Sequence, residues 1–203
     1  MRYILFLTLI CLAANCGSGL EMVTEKAEDG TIQEQYTINS KTSEKEGLYK
    51  SFDRNGDLIE ESAYKAGQLD GERRIYYEDG SVQSIETFVA GQHDGRYLSF
   101  HENGKVALQG DYVMGAMEGE WKAYYTNGQM KEVVEFRANN ENGSFTEYYE
   151  NGQLKAEGTY LNGDKEDGLL KLYDEEGVLK RKMNCKSGVC KTIWERSADT
   201  QKE

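Results

Sequence analysis

The chain has 203 residues, 22 glycines, no proline and a formal net charge of −12. So acidic a balance excludes nucleic acid, and excludes docking on anionic lipid through the bulk of the chain. The absence of proline fits a chain that is nearly all paired strand, where a missing N–H costs a ladder hydrogen bond.

Met1-Arg2 is a short basic start, and Tyr3 to Ala14 is an apolar run too short to span a bilayer. Residues 1–15 therefore read as a signal peptide. The run ends in Leu12-Ala13-Ala14-Asn15-Cys16-Gly17, which resembles a bacterial lipoprotein lipobox with Asn15 in the place of a smaller residue. The resemblance implies lipidation of Cys16 and a protein of the cell envelope, anchored to the outer membrane or cell surface. Plain secretion, with cleavage near Gly17-Ser18-Gly19, is the alternative. Cysteine parity favours the anchor: Cys11 leaves with the signal, and acylation of Cys16 leaves Cys185 and Cys190 as an even pair. Residues 16–30, small and then acidic, are expected to be a tether, and residues 31–46 a lead-in strand that caps the fold.

From Gly47 a 24-residue period takes over. Glycine recurs at Gly47, Gly71, Gly95, Gly119, Gly143 and Gly168, with the last step 25 residues. A second series keeps the same phase at Gly56, Gly80, Gly104, Gly128, Gly152 and Gly177. Each of these follows Asn, Asp or, at Glu176, Glu, which predicts a tight hairpin turn with positive φ. A third series, Gly67, Gly91, Gly115, Asn139, Gly163 and Gly188, closes each unit. Its one exception is Asn, the other residue that accepts a left-handed backbone. The fold expected over 47–188 is all-β: six tandem hairpins in an elongated, twisted antiparallel meander of about 12 strands.

Residues 189–203 read as a closing strand and a tail. Cys185 and Cys190 flank the last turn, at a spacing that is not usual for zinc, so a disulfide is predicted there. Cys185 also takes the slot held by Tyr64, Phe88, Tyr112, Phe136 and Tyr160 in the other units.

Gly119-Glu-Trp-Lys-Ala-Tyr-Tyr-Thr-Asn-Gly-Gln-Met-Lys, with the matching run from Gly143 to Gly163, resembles a MORN-variant repeat. The resemblance covers about residues 46–188 and weakens in the last unit. Arrays of this kind define the bacterial proteins labelled YwqK-family antitoxins. That label implies an antitoxin or immunity role; nothing in the composition does.

An enzyme is not expected. Only His93 and His101 are present, and His101 fills a repeat slot held elsewhere by Tyr77, Tyr125 and Tyr149. No cofactor or metal is expected either. Asp53-Arg54-Asn55-Gly56-Asp57 has a calcium-like look, but lacks the loop's full spacing and closing glutamate, so turn chemistry explains it. Binding then falls to the aromatics. Tyr49, Tyr97, Trp121 and Phe145 lie two residues into their units, and Tyr77, Tyr125 and Tyr149 six, so strand parity puts all seven on one face. Phe52, Tyr76, Phe100, Tyr124, Tyr148 and Tyr173, five residues in, fall on the other. One set should be core and the other an exposed stripe. The seven are the candidate stripe, for a basic protein partner such as a toxin or, alternatively, for an envelope carbohydrate.

Overall fold

The computed structural model describes residues 19–197, and all regular structure among them is antiparallel strand. The sheet has 15 strands in sequence order. β1 (Leu20–Lys26) and β2 (Ile32–Asn39) come first. The six units then supply two strands each: β3 (Lys45–Phe52) and β4 (Leu58–Lys65), β5 (Gln68–Tyr76) and β6 (Val82–Val89), β7 (Gln92–Phe100) and β8 (Val106–Val113), β9 (Ala116–Tyr124) and β10 (Met130–Arg137), β11 (Asn140–Tyr148) and β12 (Leu154–Tyr160), β13 (Gly168–Tyr173) and β14 (Leu179–Lys186). β15 (Val189–Glu195) closes the series. The chain forms two compact units that part between Arg96 and Tyr97, within β7. Each is described by itself below.

β1 lies where the tether was expected. It pairs with β2 from Leu20↔Asn39 onward, and it buries Val23. The Ala27 N–H donates to the Thr31 carbonyl at 2.9 Å and the Asp29 carboxylate accepts the Thr31 N–H at 2.9 Å, so Asp29-Gly30 closes a further hairpin. Acidic and polar residues at alternate positions hide this strand from a hydrophobicity reading. Residues 1–18, which include the proposed signal peptide and Cys16, lie outside the described residues.

The two kinds of turn are placed as the glycines predict, but the two-residue geometry expected at Asn-Gly lies at the other kind. At Asn127-Gly128 the Tyr125 N–H donates to the Gln129 carbonyl at 2.9 Å and the Gly128 N–H to the Tyr125 carbonyl at 2.8 Å. Gly128 has φ 90°, whereas Asn127 is not among the residues with positive φ. This is a type I turn followed by a glycine bulge, not a tight two-residue turn. The two-residue turns lie at the other edge. Ala138 and Asn139 have φ of 49° and 66° between the paired residues Arg137 and Asn140. Ala66-Gly67 and Met114-Gly115 repeat that geometry. A non-glycine residue held there costs roughly 1–2 kcal/mol.

A recurring acid offsets that strain. The residue before each glycine of the Gly47 series accepts the N–H of the strained residue at the end of the same hairpin: Glu46 from Ala66 at 2.9 Å, Asp70 from Ala90 at 3.3 Å, Glu118 from Ala138 at 2.8 Å and Asp167 from Ser187 at 3.2 Å. The carbonyls of Lys45, Leu69 and Met117 accept the next N–H along, from Gly67, Gly91 and Asn139. Both donors of each such turn are thus satisfied.

Bulges recur near both ends of the hairpins. Register shifts fall at Ser51/Phe52, Ile75/Tyr76, Glu147/Tyr148 and Leu172/Tyr173, and again at Ser62/Tyr64 and Val134/Phe136. A bulge bends its strand and raises the local twist. Bent this way, one face of a single layer covers its own side chains. In the second unit Val134, Phe145, Ala156, Leu170 and Cys185 form one buried cluster, flanked by Phe136, Tyr160, Leu172, Met183 and Cys190. Cys185 and Cys190 sit directly opposite on β14 and β15 and are joined by a disulfide.

Candidate functional site

The seven residues of the predicted stripe separate into three environments. Trp121 and Phe145 are each only 3% exposed and are core. Across the sheet they run in the row Trp121, Val134, Phe145, Gly158, with each directly paired to the next. Small residues beside the rings make this burial possible: the Trp121 ring lies over Gly110, and Phe145 over Gly158. Trp121 also meets Tyr112 edge-on at 5.1 Å and Tyr97 at 5.6 Å, and Phe145 stacks on Tyr160 at 4.2 Å. Tyr49 and Tyr97, from the same slot, are half-buried.

Tyr77, Tyr125 and Tyr149 do not continue that row. Each lies just past the end of its strand as the first residue of its turn. The extra residue of the nearby bulge is on the partner strand, as Lys131 is on β10, so the parity holds and Tyr149 lines one cleft with Phe145. The Tyr125 hydroxyl donates to the Tyr148 carbonyl at 2.8 Å, and that of Tyr149 to the Tyr173 carbonyl at 2.9 Å. His101 does the same work, its Nε2 donating to the Tyr124 carbonyl at 2.9 Å. Asn103, Asn127 and Asn151 add a parallel ladder, each side-chain N–H₂ donating to the carbonyl of Thr126, Glu150 or Glu175 in the next turn. These aromatics and asparagines tie turn to turn. The opposite face carries the +5 tyrosines with their own partners, Tyr76 on Glu61 at 2.8 Å and Tyr173 on Glu157 at 2.7 Å.

What remains open on the ring-lined face is polar. In the second unit a cleft of about 290 Å³ is lined by Phe145, Glu147, Tyr160, Leu170, Leu172 and Arg181. Glu147 lies directly across from Glu132 and is paired with Lys155 at 2.6 Å. Burial, then the charges of Glu147 and Glu141, holds the Glu132 carboxyl above the usual carboxylate range. A carboxyl raised in this way costs stability at neutral pH and returns it as pH falls through its folded value.

The first unit shows the opposite case. Arg73 stands in the slot that holds Tyr49, Tyr97, Trp121 and Phe145, and its guanidinium binds both oxygens of Glu60, at 3.0 and 3.1 Å. Arg73 also reaches Glu86 at 3.6 Å, and His93 meets Glu86 at 3.1 Å. The buried Ser62 donates to Glu60 at 2.5 Å. Burial works against the Glu60 charge, but Arg73 and Ser62 outweigh it and hold the carboxyl low. Its contribution to stability is present above the unfolded pKa and lost as pH falls through the folded one. Sequence reasoning missed Arg73, although the one cation in a row otherwise aromatic or, at Leu170, aliphatic was the available signal.

Among the described residues no group of three or more His, Cys, Asp or Glu is arranged to hold a metal ion. Asp53 spends its carboxylate on the N–H groups of Asn55 and Asp57, at 2.8 and 2.9 Å.

An antiparallel array of near-identical hairpins, with ring-lined burial on one face and linked turns at both edges, defines a repeat scaffold. Six consecutive segments, 45–66, 69–90, 94–114, 117–138, 141–162 and 166–186, match the MORN repeat variant. They cover more than half of the chain, which belongs to that family. A search of the curated proteins finds no match.

Proposed function

We propose that the chain is a non-enzymatic scaffold, held at the cell envelope through a lipidated Cys16, that binds a basic protein partner. An antitoxin or immunity protein is the specific form of that reading. The supporting observation is the Glu132–Glu147 pair: two carboxylates face each other across β10 and β11 beside a ring-lined cleft, with the Glu132 carboxyl raised by burial and like charge. An incoming lysine or arginine relieves that repulsion, and the net charge of −12 steers a basic protein toward it. The carbohydrate alternative needs flat ring faces open to solvent. It is weakened by the burial of Trp121 and Phe145.

Glu132→Lys separates binding from folding. The new ammonium faces Glu147 and removes the repulsion, so the melting temperature should hold or rise. Capture of the partner that the native chain retains from envelope extracts should fall at least about ten-fold. The same fractionation checks the anchor, since Cys16→Ser should move the chain from the membrane to the soluble fraction. Undiminished capture by Glu132→Lys rules out this face, and a membrane-bound Cys16→Ser rules out the anchor.

A further inference from the structure

Three tyrosines of the first unit converge on a single ammonium. Tyr36 of β2, Tyr49 of β3 and Tyr64 of β4 stand on neighbouring strands, with ring centroids 6.1 Å apart for Tyr36–Tyr49 and 5.6 Å for Tyr49–Tyr64. Lys45 Nζ lies 4.6, 4.1 and 5.3 Å from the three centroids. Its closest carboxylate is looser, Glu34 at 3.8 Å. The charge is therefore held chiefly by ring faces, the arrangement that suits ammonium groups.

The cage is built rather than incidental. Tyr36 is fixed at its far end by a 2.7 Å hydrogen bond to Glu25. Burial first, then the charge of Glu34, pushes the Tyr49 phenol up to about 12, and burial raises Tyr36 and Tyr64 as well. All three rings thus stay neutral, and the negative charge nearby belongs to carboxylates alone. Lys45 is the unusual member. The corresponding residue of the next three units is Leu69, His93 and Met117. A lysine has four rotatable bonds and a strongly hydrated head, and the Lys45 side chain is about a third exposed. It can leave for water without disturbing the strand ladder, which uses only its backbone.

We propose that the Tyr36–Tyr49–Tyr64 cage is a binding site for an alkylammonium group, with Lys45 as its resident intramolecular ligand. A tethered ammonium competes at high effective concentration, so the native chain binds a free cation weakly and removal of Lys45 uncovers the site. The inference stands on the cage geometry and is independent of the basic-partner reading, whose acidic pair lies in the second unit.

The test titrates the full chain and Lys45→Ala with two probes, n-butylammonium and choline, each against sodium chloride at equal ionic strength. Lys45→Ala should bind at least one probe saturably, at one site per chain and about ten-fold more tightly than the native protein. Tyr49→Leu in that background should abolish binding, and Tyr49→Phe should retain it. Preference for butylammonium assigns the site to a lysine side chain of another protein, and preference for choline to a quaternary headgroup. A second measurement needs no variant: acylation of Lys45 in the native chain should quicken as choline is added, because the displaced ammonium enters water. Saturable binding of neither probe by folded Lys45→Ala, binding indifferent to Tyr49→Leu, or a Lys45 acylation rate unmoved by choline overturns the proposal.

Discussion

Trp121→Ala should cost about 3–5 kcal/mol, read as a shift in the denaturant midpoint of the second unit. The ring is buried against Tyr97, Tyr112 and Phe136, and its removal leaves a cavity under a sheet with no second layer to collapse into it. Hydrogen exchange should loosen first in β8 to β11, because stability in a repeat array passes between neighbours. Trp121→Phe should be mild by comparison: the indole Nε1 is buried with no hydrogen-bond partner among the described residues, so the smaller ring removes an unsatisfied donor along with some packing. A small loss for Trp121→Ala would return the ring to the surface and revive it as a contact residue.

The second large effect comes from the residue beneath that ring. A Cβ on Gly110 would overlap the Trp121 indole, with Cγ at 2.7 Å. Gly110 is not among the glycines of positive φ, so space alone excludes a side chain there. Gly110→Val should destabilise by about 1–3 kcal/mol or more, the usual range for overpacking. The paired variant makes the test specific. With Trp121→Ala in the same chain, the valine enters the vacated volume, and the two losses should add to clearly less than their sum. Strict additivity would mean that the glycine and the ring do not depend on each other.

The period, the turn positions, the antiparallel order and the closing strand were legible because each rests on residues that act locally. Gly128 needs only its own φ, and Asn139 the same. The faces were less legible. Counting by twos from Phe145 to Tyr149 holds, because the extra residue of each bulge lies on the partner strand, as Lys131 does on β10, and both rings line one cleft. What the count does not tell is that Trp121 and Phe145 are buried while Tyr125 and Tyr149 leave the strand for the turn. The geometry of the Asn-Gly turn was not legible either. Asn-Gly suits a two-residue turn, and here the asparagine instead spends its side chain on the next turn, as Asn127 does on Glu150. Ala66 and Ala138 look indifferent in sequence, and only the acids Glu46 and Glu118, 20 residues earlier, reveal the strained backbone. Arg73 and Lys45 escaped notice because a repeat is recognised by agreement, whereas both mark where the agreement stops.

The one irregular step of the period shows where this chain can change length. Between Gly143 and Gly168 there is one residue more than in any other step, and a single added residue within a strand would turn every later side chain to the wrong face. Here it falls between Tyr160 and Gly168, where the regular ladder gives way to an isolated bridge, Tyr160↔Glu166, and the hydrogen bonds around it. The looser connection absorbs the extra residue, and Leu170 still reaches the same buried cluster as Phe145. Insertions are therefore admissible at the row of turns that contains Leu161–Asp167. Whole units, being an even number of strands, can be gained or lost without exchanging the inside of the sheet for its outside.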